Sequence, residues 1–162
     1  MSNRGFSRLA TGANSGVYAL ILPVGSPIGN LSVGQLGTLD LHEGHYVYVG
    51  SALQGLRQRL ERHARRTDKR RHWHIDYLVE RVRPRRLLAW PTKRELECRL
   101  SRRVAALSDG SVEGFGCSDC DCSSHLYFFE SGPQGELEKL VLREPGGDDI
   151  PPRSMDTGTG RG

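Results

Sequence analysis

The chain lacks any apolar run of the roughly 18 residues that a membrane helix needs, and its first residues lack the apolar stretch of a secretory signal. A cytoplasmic protein with no membrane partner is expected. Aromatic residues are scarce at 7%, and hydrophobic residues reach only 36%, too little for all 162 residues to pack into one core. The shortfall lies at the ends. Residues 1–14 are polar and mixed, and 144–162 read EPGGDDIPPRSMDTGTGRG, with almost nothing to bury. The expected organisation is one domain over 15–143, between a mobile N-terminal tail and a disordered C-terminal tail. No internal repeat is present. Cysteine is sparse too, limited to Cys98, Cys117, Cys120 and Cys122. In a reducing compartment, thiols this closely spaced bind metal or stay free rather than pair as disulfides.

Negative charge is scarce in the middle of the chain. Of the 23 Lys and Arg residues, 17 fall between Arg57 and Arg103 against six Asp and Glu, a net +11, whereas the remainder carries −7. A basic block on an acidic background suits a polyanionic partner. Most of these cations are arginine, whose planar fork matches phosphate oxygens in pairs. Arg57, Arg62, Arg66, Arg70 and Arg71 are the candidate nucleic-acid contacts. A solvated, salt-bridged helical face would give the same composition.

Periodicity places the elements. GVYALILPV from Gly16 suits a half-buried strand, and the Gly-punctuated segments NLSVGQLGTLDL and HYVYVGSA suit further antiparallel strands. Leu53, Leu56, Leu60 and Ala64 recur at helical spacing, predicting a helix over 53–66 that presents Arg59 and His63 on one flank. WHIDYLVERV suits a short second helix and RRLLAW a strand. Thr92 and Glu95 fit a capping box ahead of Leu96, Leu100, Val104 and Leu107. Glu95 then caps, and Glu97, beside the apolar face, has no local duty. A cysteine-rich turn leads into a final aromatic strand.

In chain order these elements carry Gly16-Val17-Tyr18, then Tyr48-Val49-Gly50, then Arg59-Leu60 with His63, then Glu97. The order resembles the GIY-YIG nuclease superfamily. More narrowly, YVYVGSA, RLERH, WHIDYL, LEC and GFGCSDCDCSSHL resemble a branch of it known as DUF123, sometimes joined to base-excision DNA glycosylases. The likeness spans Gly16 to Glu130. Two features depart from the superfamily pattern. Both tripeptides have Val at the centre, and 29 residues separate Tyr18 from Tyr48, where fewer are usual. The insertion from Pro23 to His45 fits an extra hairpin at the sheet edge.

Phosphodiester hydrolysis builds negative charge on the phosphate and the leaving oxygen, so something cationic must meet it. Glu97 can hold Mg²⁺ or Mn²⁺ through one carboxylate, with water and phosphate completing the octahedron. Arg59 can clamp the phosphate, and His63 can contact it or assist proton transfer. Tyr18 or Tyr48 can deprotonate or orient the attacking water; the resemblance assigns that role to Tyr18. Singly, the tyrosines read as amphipathic strand residues and Arg59 as one surface arginine among many. His74 and Asp76 suit a turn-fixing hydrogen bond better than a catalytic pair.

Cys117, Cys120, Cys122 and His125 supply four soft ligands within nine residues, enough for tetrahedral zinc, with Cys98 as a possible substitute. Unligated thiols in a polar turn are the alternative. The expected fold is α+β: a small, mainly antiparallel sheet flanked by helices, GIY-YIG-like, with an inserted hairpin and the cysteine-rich turn. The expected function is a Mg²⁺- or Mn²⁺-dependent endonuclease acting on DNA, in repair and with a repair-enzyme partner; the same chemistry admits RNA. A non-catalytic, zinc-stabilised nucleic-acid-binding module is the alternative. A purely structural interaction domain leaves the arginine block unexplained.

Overall fold

The computed structural model describes residues 15–52, 54–64, 73–117 and 120–156. It is an α+β fold built on a six-stranded sheet, with strands β1 (Gly16–Val24), β4 (Gly44–Ala52), β5 (Arg86–Pro91), β6 (Gly110–Ser111), β7 (Leu126–Phe129) and β10 (Arg153–Asp156). Their spatial order is β10-β5-β1-β4-β7-β6, and each ladder is antiparallel.

β1 lies at the centre and is buried on both faces, rather than half-buried as its alternation at Gly16–Tyr18 suggests. Helices cover it from both sides. Tyr18, Leu20 and Leu22 pack with Leu56 and Leu60 of α1 (Leu56–Ala64) and with Ile75 and Leu78 of α2 (His74–Val79). On the opposite face Val17, Ala19 and Ile21 pack with Leu100 and Val104 of α3 (Glu97–Leu107) and Leu137 of α4 (Gln134–Glu138). Each large apolar side chain buried this way contributes about 1.5–3 kcal/mol. Two-sided burial accounts for the run ALIL, which a one-faced strand would interrupt with polar residues. Among the described residues no helix is long and apolar enough to cross a membrane.

The insertion between β1 and β4 forms the hairpin β2 (Ile28–Ser32) and β3 (Thr38–Leu41), closed by a 3₁₀ turn at Gly34–Leu36. Because β1 and β4 are central neighbours, the hairpin extends beyond their ends as a separate two-stranded sheet and does not add to an edge.

Two expectations about the C-terminal half differ from the structure. α3 begins at Glu97, with Leu96 at its N-cap and no side-chain cap, so the Thr92–Glu95 capping box does not form. The Thr92 hydroxyl instead accepts from the Arg94 amide at 3.0 Å and donates to Glu144 at 2.5 Å, and Glu95 is exposed. Residues 144–156, expected as tail, take part in structure: β8 (Leu142–Arg143) pairs with β9 (Asp149–Ile150), and β10 adds to the sheet beside β5. An edge strand held by backbone hydrogen bonds does not need the apolar alternation that its sequence lacks.

Candidate active site

The antiparallel register of β1 and β4 sets Tyr18 opposite Gly50 and Leu20 opposite Tyr48, so both tyrosines face α1 with ring centroids 6.4 Å apart. Gly50 is required by this arrangement, since a Cβ there would lie 2.5 Å from Cζ and the hydroxyl of Tyr18. Anchored by Leu56 and Leu60, α1 brings His63 over the same face, where its Nε2 lies 2.8 Å from the Tyr18 hydroxyl in a buried hydrogen bond. One turn earlier, Arg59 donates from Nη1 to the Ser51 carbonyl at 2.5 Å. Its guanidinium stacks 4.6 Å from the centroid of Trp73.

Glu97 arrives from the opposite face of the sheet. As the first residue of α3 it sits at the positive end of that helix, where a carboxylate is favoured. Its Oε1 accepts from the Ser51 hydroxyl, and its Oε2 lies 2.7 Å from Nδ1 of His125, an ion-pair contact rather than a well-aligned hydrogen bond. Ser51 therefore joins the two faces: its carbonyl holds Arg59 and its hydroxyl holds Glu97. All five residues expected at a reaction site, Tyr18, Tyr48, Arg59, His63 and Glu97, gather at this end of β1 and β4.

Burial dominates the electrostatics. It pushes the Tyr18 phenol well above its ordinary range, aided by Glu97 and Asp76 and opposed by Arg59; Tyr48 is raised for the same reason, with Tyr18 adding to it. Both are neutral phenols near pH 7. Burial also works against the Glu97 charge, but His125, Ser51 and Arg59 outweigh it and hold the carboxyl below its ordinary range. Burial likewise opposes a charge on His125, yet contact with Glu97 and then Cys120 raises it to about 9.

A family model described as a domain of unknown function, DUF123, matches residues 17–143. The chain belongs to the DUF123 family. No curated protein and no solved structure matches it. The matched region of this DUF123 domain contains Tyr18, Tyr48, Arg59, His63 and Glu97, together with the cysteine-rich turn.

That turn and α3 together supply a Cys₃His cluster able to bind a metal such as zinc, with a membership that differs from the contiguous set. The ligand atoms of Cys98, Cys120, Cys122 and His125 all lie within 4.8 Å of one another. Cys98, on α3, takes the place of Cys117. The Gly116 amide donates to Nδ1 of His74 at 2.9 Å, holding the start of the turn against α2. The three thiols, with Arg102 and Asp121, line a pocket of about 580 Å³.

The candidate nucleic-acid arginines are less uniform than their sequence suggests. Arg62 forms a fork on Asp76, with N–O distances of 2.5 and 3.2 Å, and stacks 4.9 Å from the Trp73 centroid. Arg57 pairs with Glu61 at 3.4 Å across one helical turn. Arg66, Arg70 and Arg71 lie outside the described residues. His74 and Asp76 do not pair: His74 accepts from Gly116, while Asp76 accepts from Arg62 and from the Trp73 amide at 3.0 Å. Sequence reasoning missed Ser51, for which no signal exists, and missed His125 as the partner of Glu97.

Proposed function

We propose that this DUF123 domain is a metal-dependent endonuclease that hydrolyses phosphodiester bonds in DNA, with Mg²⁺ or Mn²⁺ held by Glu97. The observation that carries the reading is the meeting of two neutral tyrosines, a buried histidine, an arginine and an ionised glutamate at one end of the central strands. The order GVY, YVG, Arg59, Glu97 resembles GIY-YIG nucleases and supports the same conclusion.

Glu97 suits a hydrated hard cation, because its side chain is 29% exposed and its carboxyl favours the charged form. Such an ion supplies positive charge for the phosphate oxygens as they gain negative charge. Arg59 meets that charge from the α1 side. The raised pKa of Tyr18 gives it a relay role instead of that of a free phenolate: its oxygen takes a proton from the attacking water while its own proton passes to Nε2 of His63. Tyr48 packs beside this pair, its ring centroid 6.4 Å from that of Tyr18 and 6.3 Å from that of His63. Zinc is the metal that suits the Cys₃His cluster. The net +11 between Arg57 and Arg103 supports a DNA partner, and a repair setting follows from the resemblance.

Two observations favour the second reading, a nucleic-acid-binding module without catalysis. Glu97 already accepts contacts from Ser51 and His125, and Tyr18 is only 2% exposed. A nicking assay on supercoiled and branched DNA with Mg²⁺ or Mn²⁺ separates the two. Cleavage that disappears on chelation is the expected outcome; binding without cleavage of any substrate selects the module.

A further inference from the structure

His125 has two ring nitrogens, and each faces a different site. Nε2 lies 3.4 Å from Sγ of Cys120, and Nδ1 lies 2.7 Å from Oε2 of Glu97. The ring is fully buried, and its backbone is fixed on both sides: its amide donates to the Phe115 carbonyl at 2.8 Å, and its carbonyl accepts from the Val49 amide at 2.9 Å. A ring held this rigidly cannot swing to satisfy one neighbour at the expense of the other.

The geometry points to His125 as a bridge between two metal sites. On the first side, Nε2 joins Sγ of Cys98, Cys120 and Cys122 around a single zinc ion. Those four atoms lie within 4.8 Å of one another, and tetrahedral zinc with bonds of about 2.3 Å to sulfur needs edges of about 3.8 Å. Small side-chain rotations close that difference. The ligands come from two segments, Cys98 from α3 and the others from the turn before β7, which is how a structural zinc ties a loop to a helix. The adjoining pocket gives the ion a way in.

Zinc on Nε2 leaves the ring proton on Nδ1, where it faces Glu97. Cys98 is also the next residue after Glu97, so the ion grips the first turn of α3 twice: covalently next to the carboxylate and through the imidazole. His125 is thus a positioning residue for Glu97. This second half rests on the reading of Glu97 as the ligand of Mg²⁺ or Mn²⁺; the zinc site does not.

The test uses the full chain. Metal analysis counts zinc, and electron paramagnetic resonance measures Mn²⁺ affinity without requiring cleavage. Wild type and Cys117→Ser are expected to carry about one zinc per chain, and Cys98→Ser to lose it. Glu97→Gln keeps zinc and loses Mn²⁺. His125→Cys can complete a four-sulfur site, so it keeps zinc yet binds Mn²⁺ about 10–100-fold more weakly, because only the link to Glu97 is gone. A merely structural zinc would leave Mn²⁺ affinity unchanged in that variant, and this result overturns the bridge. So does wild type without zinc, or zinc that survives Cys98→Ser but not Cys117→Ser. Should His125→Cys fail to hold zinc, the long-range ¹H–¹⁵N spectrum of the zinc-loaded chain decides: an Nδ1 proton resonance that moves upfield in Glu97→Gln supports the bridge, and one that stays in place, or a proton on Nε2, overturns it. Wild type that binds no Mn²⁺ overturns both the bridge and the Glu97 site. Wild type that shows the full zinc and Mn²⁺ pattern but cuts no DNA supports the bridge and overturns the nuclease.

Discussion

Tyr18 and His63 are joined by a 2.8 Å hydrogen bond between the phenol oxygen and Nε2, at a place where 2% of one residue and 1% of the other is exposed. A phenol in such surroundings keeps its proton, so a base role at neutral pH needs the imidazole behind it. The partnership has consequences that need no nuclease assay to observe.

Tyr18 and Tyr48 both have folded-state pKa values above the unfolded value of about 10. For an acid raised by folding, the stability it contributes is intact below pH 10 and is lost as pH rises from there through the folded-state value. An ultraviolet difference titration of wild type against Tyr18→Phe should show no ionisation of Tyr18 until the fold itself opens. Ionisation near pH 10 with circular dichroism unchanged would show that the hydroxyl is not sequestered.

Gly50→Ala places a methyl group 2.5 Å from the Tyr18 ring and hydroxyl. The ring has little freedom to retreat, because it packs in the core with Leu56 and Leu60. Overpacking of this kind costs about 1–3 kcal/mol, read as a lower denaturant midpoint. An unchanged midpoint would mean that Tyr18 does not lie over Gly50.

Arg62 and Arg57 should separate structure from DNA contact. Removing Arg62 takes the forked ion pair away from Asp76, which is fully buried, so Arg62→Ala should cost about 3 kcal/mol of stability. Arg57→Ala breaks only a partly exposed pair with Glu61 and should leave the midpoint nearly in place. If Arg57 contacts phosphate, its loss lowers the slope of log affinity against log salt by about 1. Melting curves beside salt-dependent binding titrations check both; Arg62→Ala that melts like wild type refutes the structural assignment.

Much of the central sheet was legible because periodicity and packing agree there: the GVY and YVG strands, the α1 stripe Leu56 and Leu60, and the RRLLAW strand all appear where their patterns place them. What was not legible depends on contacts distant in sequence. Thr92 fits a cap locally, but Glu144, 52 residues away, takes its hydroxyl. Cys117 is the nearest thiol in sequence to Cys120 and Cys122, yet folding replaces it with Cys98 across the α3 interface. Arg62 looks like surface charge until Asp76 is found beneath it. β10 uses backbone pairing, which leaves no mark in side-chain pattern.

The claim on which the function turns is that Glu97 holds the reactive cation. Glu95 is its control, being two residues away, exposed and outside the helix. The measurement is nicking of supercoiled DNA by Glu97→Gln and Glu95→Gln, with DNA affinity determined for the same preparations. Glu97→Gln should lose about 100-fold or more in cleavage while binding DNA as well as wild type, and Glu95→Gln should cut normally. Wild type and Glu97→Gln cutting at equal rates would place the reaction elsewhere in the molecule.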